Sequence, residues 1–498
     1  MTSFRKPITS KSWFYWFERH LEFSAALFVF LLLWVHGSTL GLSDDEAYYW
    51  VLAQKPSLGY AFHPPAVAWM IAISELFLSP FFGLHSEAVV RFPAALSSGF
   101  ILWLVLDWLK FNYREKNRHF YRTVGLILSF FGFFGLSWMV VPDIPLFLGL
   151  TLAFVSTYRA CEGGFRSRDW VFLVGGVFLA LLGKFSGVLV GVSAIVCIAR
   201  WGVRGKRRFL ILAVLLGMAL ASLPTLVWNS QHEWGSLLYQ IRDRHGGSWS
   251  GIRYLRFWAT QLALAGPFVI VSFLSFILSM FKKTKSDRLV LFGLAWALPP
   301  ATVFLLQPFY ADFKPHWALV VWWPVLLVLV QQSQKKAQKW IKAQLIYGLG
   351  FGAVLLFICH FPILGWLGVH PKNDVTNDLF GWKAAASELE ENREPLPEVL
   401  VGSRYQTAGQ AAFNFPKRKV TFLPRDRKEF DEWPDLKVSH TLGPQPVSLN
   451  QEVLFVSDSR YSAEPDFKNA KCEKLFRSPK KRFSLSVGWI DIWRCRPS

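Results

Sequence analysis

The feature that most constrains this chain is a series of apolar runs, many of which reach about 18 residues. A helix of that length spans the hydrocarbon core of a bilayer and satisfies its own backbone polar groups. Of the 498 residues only 18% are charged, which is below the roughly 25% that is typical of soluble domains. The sequence therefore predicts a polytopic α-helical membrane protein.

Eleven of these runs are predicted to be membrane helices. Their approximate positions are 22–42, 88–109, 123–140, 144–160, 170–182, 185–200, 208–228, 256–281, 289–306, 317–331 and 344–365. The apolar segment 64–82 is short and bounded by prolines, so we expect it to lie at the interface or to re-enter the bilayer. Residues 23–42 are too long for the apolar region of a signal peptide, and no small-residue cleavage site follows them.

Basic residues fix the predicted orientation. Five loops on one side of the membrane carry most of the basic residues that lie between the predicted helices: Lys110, Arg114, Lys116, Arg118 and Arg122; Arg159, Arg166 and Arg168; Arg200, Arg204, Lys206, Arg207 and Arg208; Lys282, Lys283, Lys285 and Arg288; Lys335, Lys336, Lys339 and Lys342. Positive loops stay in the cytoplasm, so the formal net charge of +20 indicates topology and not nucleic-acid binding. The N-terminus is then cytoplasmic, and the chain beyond about residue 366 lies outside.

The chain changes character after the last apolar run. We expect residues 1–366 to form the membrane domain, with extracytoplasmic loops at 43–87 and 229–255, and residues 370–498 to form a small α/β domain. Strand-like runs such as "EVLVG", "KVTFL" and "EVLFVS" alternate there with a helix signal at 378–392. Cys472 and Cys495 lie in this domain, and an oxidising compartment would permit a disulfide between them.

Ionisable residues gather on the face opposite the basic loops. The loop after the first helix holds Asp44, Asp45, Glu46 and His63; Asp143 lies in "VPDIP" and Lys184 in "LLGKFSG". The long loop 229–255 adds His232, Glu233, Arg242, Asp243, Arg244, His245 and Arg253, and "QPFYADFKPHW" adds Asp312, Lys314 and His316. Charges at membrane depth are costly and usually functional. Asp143 also fits a helix N-cap, and Lys184 also fits a lysine that snorkels to the interface.

Carboxylates and cations on one membrane face suit a reaction with an anionic lipid. Lysine and arginine side chains would hold a phosphate, and a carboxylate would act as general base on an incoming hydroxyl. A polyprenyl-phosphate-linked sugar fits this pattern, because its tail lies in the bilayer while its phosphate sits at the interface. A single displacement at the anomeric carbon would invert that centre.

Several motifs carry a family resemblance in the same order. An acidic "DDE" after the first helix is followed by an aromatic stretch and "HPP", and then by "VVRFPAALSS", "VPDIPLFL", "LLGKFSGVLV", "PTLVWNSQHEW", "HWALVVWWP" and "NDLFGWK". This set resembles the bacterial polyprenyl-phosphate-dependent glycosyltransferases, which include the lipid A aminoarabinose transferase, with protein O-mannosyltransferases as more distant relatives. The resemblance implies the family C glycosyltransferase fold, with about 11–13 membrane helices.

The resemblance also implies roles for individual residues. Asp45 is the expected catalytic carboxylate, with Glu46 beside it and Asp143 as the second acid, although Asp44 could take the role of Asp45. The expected ligands of the donor phosphate are Lys184, His63, Arg242 and Arg244. His63 stands where the aminoarabinose transferase has a lysine, which replaces a fixed cation with a pH-dependent donor. The expected substrate contacts are Tyr48, Tyr49, His232 and His316.

The sequence leaves several alternatives open. A metal bound to the acids is compatible with the sequence, but nothing in the spacing requires one. The acceptor is lipid A or its core sugars, another envelope glycan or a protein, and the donor sugar is not encoded in any motif. A transporter of polyprenyl-linked sugars is a second class, although the paired broken helices typical of transporters are not visible. A glycan-binding assembly protein is a third, but it leaves Lys184 and Asp143 unexplained.

Overall fold

The computed structural model describes residues 20–110, 117–243, 248–281, 287–332, 338–391, 395–422, 449–461 and 463–498. Its α-helices are α1 Leu21–Ser38, α2 Asp44–Ala53, α3 Ala66–Phe82, α4 Glu87–Lys110, α5 Asn117–Leu128, α6 Phe131–Leu136, α7 Asp143–Cys161, α8 Ser167–Gly183, α9 Val188–Trp201, α10 Arg207–Gln231, α11 Gly235–Leu238, α12 Gly251–Ala265, α13 Pro267–Met280, α14 Arg288–Phe304, α15 Leu319–Gln332, α16 Gln338–His360, α17 Ile363–Trp366, α18 Trp382–Glu390 and α19 Tyr405–Asn414. The strands are β1 Val399–Gly402, β2 Lys419–Phe422, β3 Val453–Asp458, β4 Ala470–Arg482 and β5 Leu485–Pro497.

Helices cover every predicted membrane segment, which confirms the polytopic helical fold. Among the described residues, seven helices are long and apolar enough to cross a membrane, or eight if one bent pair counts as a single span. This number is below the eleven apolar runs of the sequence because some runs form shorter or broken helices. The predicted interfacial segment forms α3, and the run at 185–200 forms another short apolar helix after a 3₁₀ turn.

Two predicted spans are interrupted. The run at 123–140 is divided between α5 and α6, with Phe130 in extended backbone between them. The run at 256–281 bends by 107° between α12 and α13. Gly266 lies at that bend with a φ of 87°, a conformation that other residues adopt only with strain, and Pro267 then begins α13 at a position where its missing N–H costs nothing.

The C-terminal part is a mixed five-stranded sheet in the order β2-β1-β3-β5-β4. β1 pairs in parallel with β2 and with β3, whereas β5 runs antiparallel to β3 and β4. The three strand-like runs of the sequence correspond to β1, β2 and β3, and the predicted helix at 378–392 corresponds to α18. Cys472 and Cys495 are opposite each other on β4 and β5 and form a disulfide, which the sequence had left open.

The sheet domain packs against the membrane helices at two places that define the site. Helix α19 lies against α2, where the Gln410 side-chain amide donates a hydrogen bond of 2.8 Å to the carbonyl oxygen of Leu42. At the end of β4, the buried Arg482 guanidinium donates to the carbonyl oxygens of Ile358, Cys359 and Phe361 at the C-terminus of α16. Such carbonyls have no partner within their own helix, so Arg482 joins the sheet to the last long membrane helix.

Candidate active site

Helix α2 begins with the three acidic residues. Ser43 is its N-cap, and the side chains and backbone N–H groups of Ser43 and Glu46 bond reciprocally in a capping box. The carboxylates also lie at the positive end of the helix dipole, where negative charge is favourable. Because successive helical residues are rotated by about 100°, the three side chains point in different directions, and each has a different environment.

Glu46 points into the membrane domain. Its fully buried carboxylate receives hydrogen bonds of 2.8 and 2.6 Å from Arg91 on α4 and one of 3.0 Å from the Val140 backbone N–H. Arg91 uses its remaining donors on the carbonyl oxygens of residues 37, 40 and 41, at the end of α1. Burial opposes ionisation of Glu46, but Arg91 and these hydrogen bonds hold its pKa below the usual range. Glu46 therefore has no lone pair left for a substrate.

Asp44 points toward the sheet domain. It accepts a hydrogen bond of 2.8 Å from the Tyr461 hydroxyl and one of 3.2 Å from the Gln410 amide, and Arg460 lies 3.9 Å away. Burial and the charge of Asp458 raise the pKa of Asp44, against the opposing charge of Lys480 and the two hydrogen bonds. Asp44 thus fastens the start of α2 to the C-terminal domain.

Asp45 points into a cavity. Within the part of the chain that the structure describes, its carboxylate forms no hydrogen bond or salt bridge, and its side chain is accessible through the cavity. The surrounding protein raises its pKa by desolvation, and the charges of Asp44 and Glu46 raise it further, while Lys314 and Arg460 act in the opposite direction. Asp45 is therefore the acid of the three that can both reach a ligand and accept a proton.

The cavity has a volume of about 470 Å³ and lies between the membrane helices and the sheet domain. One wall is apolar and comes from α6, the residues that follow it and α16. The other wall is polar and carries Asp45, Lys314, Gln406, Arg460 and Tyr461, among others. An amphiphile with a polar head and a hydrocarbon tail matches this division.

A second charged cluster forms at the start of α7. The Lys184 ammonium group donates a hydrogen bond of 2.9 Å to Asp143, and His316 Nε2 lies 3.6 Å from the other oxygen of the same carboxylate. His63 also exerts an electrostatic influence on Asp143. The structure therefore brings together Asp143, Lys184 and His316, which come from three separate loops, and places the charge of His63 close enough to act on them.

The two tyrosines predicted to contact substrate have different neighbours. Tyr49 lies with its ring centroid 5.9 Å from that of His63, and the buried Tyr48 ring lies 5.0 Å from that of Tyr405. His232 is further along, stacked at 4.0 Å on Trp228 beside a small cavity of about 30 Å³. His232 is not part of either cluster.

Two predicted phosphate ligands cannot be placed. Arg244 and the side chain of Arg242 lie outside the described residues. Among the residues that are described, no group of three or more His, Cys, Asp or Glu side chains could hold a metal ion.

Sequence reasoning missed several residues of the site. Arg91 was visible as a charge near the start of the apolar run at 88–109, which was a signal for a buried partner. Lys314 was visible as a cation on the correct face. Gln410, Arg460 and Tyr461 gave no signal, because nothing local indicates that they reach α2.

The protein is a polytopic membrane protein with the family C glycosyltransferase fold. Two crystal structures of ArnT from Cupriavidus metallidurans, in the apo state and bound to undecaprenyl phosphate, match with a TM-score of 0.61. The match is 14% identical and covers 94% of this chain and 97% of that chain. At this identity the likeness establishes the fold.

The sequence comparisons agree with the fold. Residues 62–228 match the family described as dolichyl-phosphate-mannose-protein mannosyltransferase. The lipid A galacturonosyltransferase RgtD of Rhizobium johnstonii is 27% identical over 305 residues, which are 56% of this chain and 58% of that protein. The match thus spans less than two thirds of that relative. Together these findings confirm the predicted resemblance to the polyprenyl-phosphate-dependent glycosyltransferases and identify a multi-pass membrane protein.

Proposed function

We propose that this protein transfers a sugar, with inversion, from a polyprenyl-phosphate donor to an acceptor of the bacterial envelope. The observation that carries the proposal is Asp45, a carboxylate without a partner among the described residues, which faces an amphipathic cavity in a fold shared with ArnT. A raised pKa makes Asp45 a stronger base than an ordinary aspartate. Its position at the end of a rigid capped helix suits a group that must be held in place.

The proposed reaction is a single displacement. Asp45 accepts the proton of an acceptor hydroxyl, whose oxygen attacks the anomeric carbon of the donor sugar. The bond between that carbon and the phosphate oxygen breaks, and polyprenyl phosphate leaves. We place its phosphate at Lys184, His63 and His316, because cations there would stabilise the negative charge that develops on the leaving group. Asp143 would orient Lys184 through their 2.9 Å hydrogen bond.

We place the reaction on the periplasmic face of the inner membrane. The topology predicted from the apolar runs places the basic loops on the opposite side from Asp45 and Asp143, which supports a cytoplasmic location for those loops. The disulfide between Cys472 and Cys495 supports an oxidising location for the sheet domain. The sheet domain would then cover the site from the periplasm.

We propose a lipid A-type glycolipid as the acceptor. The name of the Rhizobium relative describes transfer to lipid A, and the cavity has an apolar wall suited to acyl chains. A protein acceptor is the alternative, supported by the description of the family that matches residues 62–228.

The test is release of free undecaprenyl phosphate by the full chain in nanodiscs, supplied with a panel of undecaprenyl-phosphate sugars and an envelope glycolipid extract. Asp45→Asn and Lys184→Ala are compared with Asp312→Asn and Lys372→Ala, which change exposed residues on the same side of the protein. We expect at least a 100-fold loss with Asp45→Asn, because general base catalysis contributes about 10²–10⁴-fold. The control variants should retain the wild-type rate.

Two results would contradict the proposal. Equal release by Asp45→Asn and wild type would assign the base to another residue. Movement of the intact lipid-linked sugar across a vesicle membrane, without release of undecaprenyl phosphate, would establish a transporter instead.

A further inference from the structure

Lys314 is a cation that the proposed mechanism does not use. It lies between the 3₁₀ turns Gln307–Phe309 and Pro315–Ala318, and its side chain is exposed and lines the cavity that Asp45 faces. Among the described residues its ammonium group forms no hydrogen bond or salt bridge, yet its charge acts on Asp45. The cavity therefore holds a cation and a carboxylate that are close enough to interact and remain unpaired.

The other cation of the cavity has different surroundings. Arg460 forms an ion pair with Asp378, lies 3.9 Å from Asp44, and is positioned over the ring of Tyr461. Its Nη1 atom is engaged with Asp378 and lies near Asp44 at the start of α2. Lys314, in contrast, has no ion pair among the described residues.

The backbone around Lys314 is held in place. The carbonyl oxygen of Pro315 accepts a hydrogen bond of 2.9 Å from Gln261, and the carbonyl oxygen of Lys314 accepts one of 3.0 Å from the Trp317 N–H. Two residues along, His316 contacts Asp143 in the other cluster. One short segment therefore supplies a side chain to each of the two clusters, Lys314 to the cavity of Asp45 and His316 to the Asp143 cluster.

The cavity offers an anionic substrate group a cation that has no ion pair among the described residues. The Lys314 ammonium group is exposed and lines the cavity, so an anion that enters the cavity can replace solvent as its partner. Asp45 cannot be a permanent partner if it is to accept a proton, since a close salt bridge would lower its basicity. A substrate anion beside Lys314 would satisfy the ammonium group and leave Asp45 free.

We propose that Lys314 binds an anionic group of the substrate beside Asp45, separate from the donor phosphate held at Lys184 and His63. The carboxylate of an acidic sugar on the donor and a phosphate of the lipid acceptor share this chemistry. Gln406 also lines the cavity, and its buried Oε1 has no hydrogen-bond partner. This oxygen can accept a hydrogen bond that a sugar hydroxyl donates. This inference rests on the proposed glycosyltransferase function.

The experiment measures lipid binding to the full chain in nanodiscs for wild type, Lys314→Gln, Lys314→Arg and the exposed control Lys372→Gln. The donor probes are undecaprenyl-phosphate galacturonate, undecaprenyl-phosphate galactose and undecaprenyl phosphate. The acceptor probes are lipid A and lipid A from which the phosphates have been removed. Thermal unfolding of each variant is measured in parallel to confirm that it is folded.

We expect Lys314→Gln to weaken the binding of one acidic probe by about tenfold or more. This is the usual scale for loss of a charge-assisted hydrogen bond. A loss confined to the galacturonate donor identifies a sugar carboxylate, and a loss confined to phosphorylated lipid A identifies an acceptor phosphate. Lys314→Arg should restore most of the affinity, and Lys372→Gln should resemble wild type.

Two results would overturn the inference. Equal affinities of wild type and Lys314→Gln for all five probes would leave Lys314 without a ligand. An equal loss for all three donor probes would mean that Lys314 binds the donor phosphate and no separate anion. Failure of the proposed function is a distinct observation, because it appears as undecaprenyl phosphate release that does not depend on Asp45.

Discussion

Residues 44–46 are chemically similar, but the structure separates their roles. The helical rotation of about 100° per residue directs Glu46 to Arg91, Asp44 to Tyr461 and Asp45 to the cavity. Two of the carboxylates therefore hold the helix on both sides, and the third is left accessible. Each of the two engaged carboxylates has partners that offset the repulsion between the three neighbouring charges.

Glu46 is expected to stabilise the fold and not to take part in proton transfer. Replacing it in Glu46→Gln leaves Arg91 buried without its counter-charge, which should reduce stability by about 3–5 kcal/mol. The measurement is thermal unfolding in detergent. Glu390→Gln removes a partly exposed ion pair with Lys417 and should cost less than about 1 kcal/mol. Similar unfolding temperatures for the two variants would contradict a structural role for Glu46.

The activity should depend on pH through Asp45. A base must be ionised, so the rate should fall as the pH decreases through the pKa of Asp45, which burial and Asp44 raise above the usual aspartate range. Asp44→Asn removes a neighbouring negative charge and lowers that pKa, so the acidic limb of kcat/KM should move to lower pH. An acidic limb that stays in place or moves upward would argue against Asp45 as the base.

At the scale of elements, the contact between β4 and the end of α16 joins the sheet to the membrane helices through one buried side chain. Arg482 is fully buried and, besides the three carbonyl oxygens of α16, contacts Asp374 at 3.2 Å and Thr376 and Asn377 at 2.9 Å each. The hairpin that follows places Phe483 against Phe361, with ring centroids 5.1 Å apart. One side chain thus caps a helix and orders the turn that leads into the sheet.

Arg482→Met should destabilise the protein by about 3–5 kcal/mol, because it leaves the Asp374 carboxylate buried without its cation. The effect should be seen as a lower midpoint of thermal unfolding and as faster hydrogen exchange in residues 358–361. Arg496→Met on the neighbouring strand removes exposed ion pairs and provides the matched control. An Arg482→Met variant as stable as Arg496→Met would show that the apolar contacts alone hold the sheet.

At the scale of the whole molecule, the sheet domain completes the cavity. Arg460 and Tyr461, which follow β3, contribute to the polar wall and meet α2 more than 400 positions earlier in the chain, the separation of Tyr461 and Asp44 being 417 residues. The geometry of Asp45 therefore depends on how the two parts of the chain dock. A substrate that enters the cavity would contact both.

Tyr461→Phe should loosen this docking by about 1 kcal/mol, because it removes one hydrogen bond to a buried carboxylate. We expect faster hydrogen exchange in the first turn of α2 and a lower rate of sugar transfer. The midpoint of thermal unfolding of the membrane helices should not change. Tyr347→Phe makes the same chemical change at a distant site and should leave exchange in residues 44–53 unaltered. Equal rates of hydrogen exchange in residues 44–53 of the two variants would show that the sheet domain does not hold α2 in place.

The sequence by itself determined the features that depend on local pattern. The length of the apolar runs, the side that carries the basic loops and the strands β1 to β3 follow from neighbouring residues and from composition. The sequence permitted a disulfide between Cys472 and Cys495, and the pairing of β4 with β5 brings the two residues together. The motifs also indicated the superfamily and the face on which Asp45, Asp143 and Lys184 lie. A membrane helix and its orientation depend on the apolar residues of one span and on the charges that flank it. These residues are neighbours in the chain, so the sequence pattern is enough to predict them.

Only the tertiary structure decided which of these charges meet. The ion pair of Glu46 with Arg91, the contact of Asp143 with Lys184 and His316, and the presence of Lys314 and Asp45 in one cavity depend on segments that are distant in sequence. The breaks at Phe130 and Gly266 likewise depend on packing, because both lie within runs apolar enough to continue as helices. Side-chain direction and partner choice are set when the helices and the sheet pack together, and no local pattern contains that information.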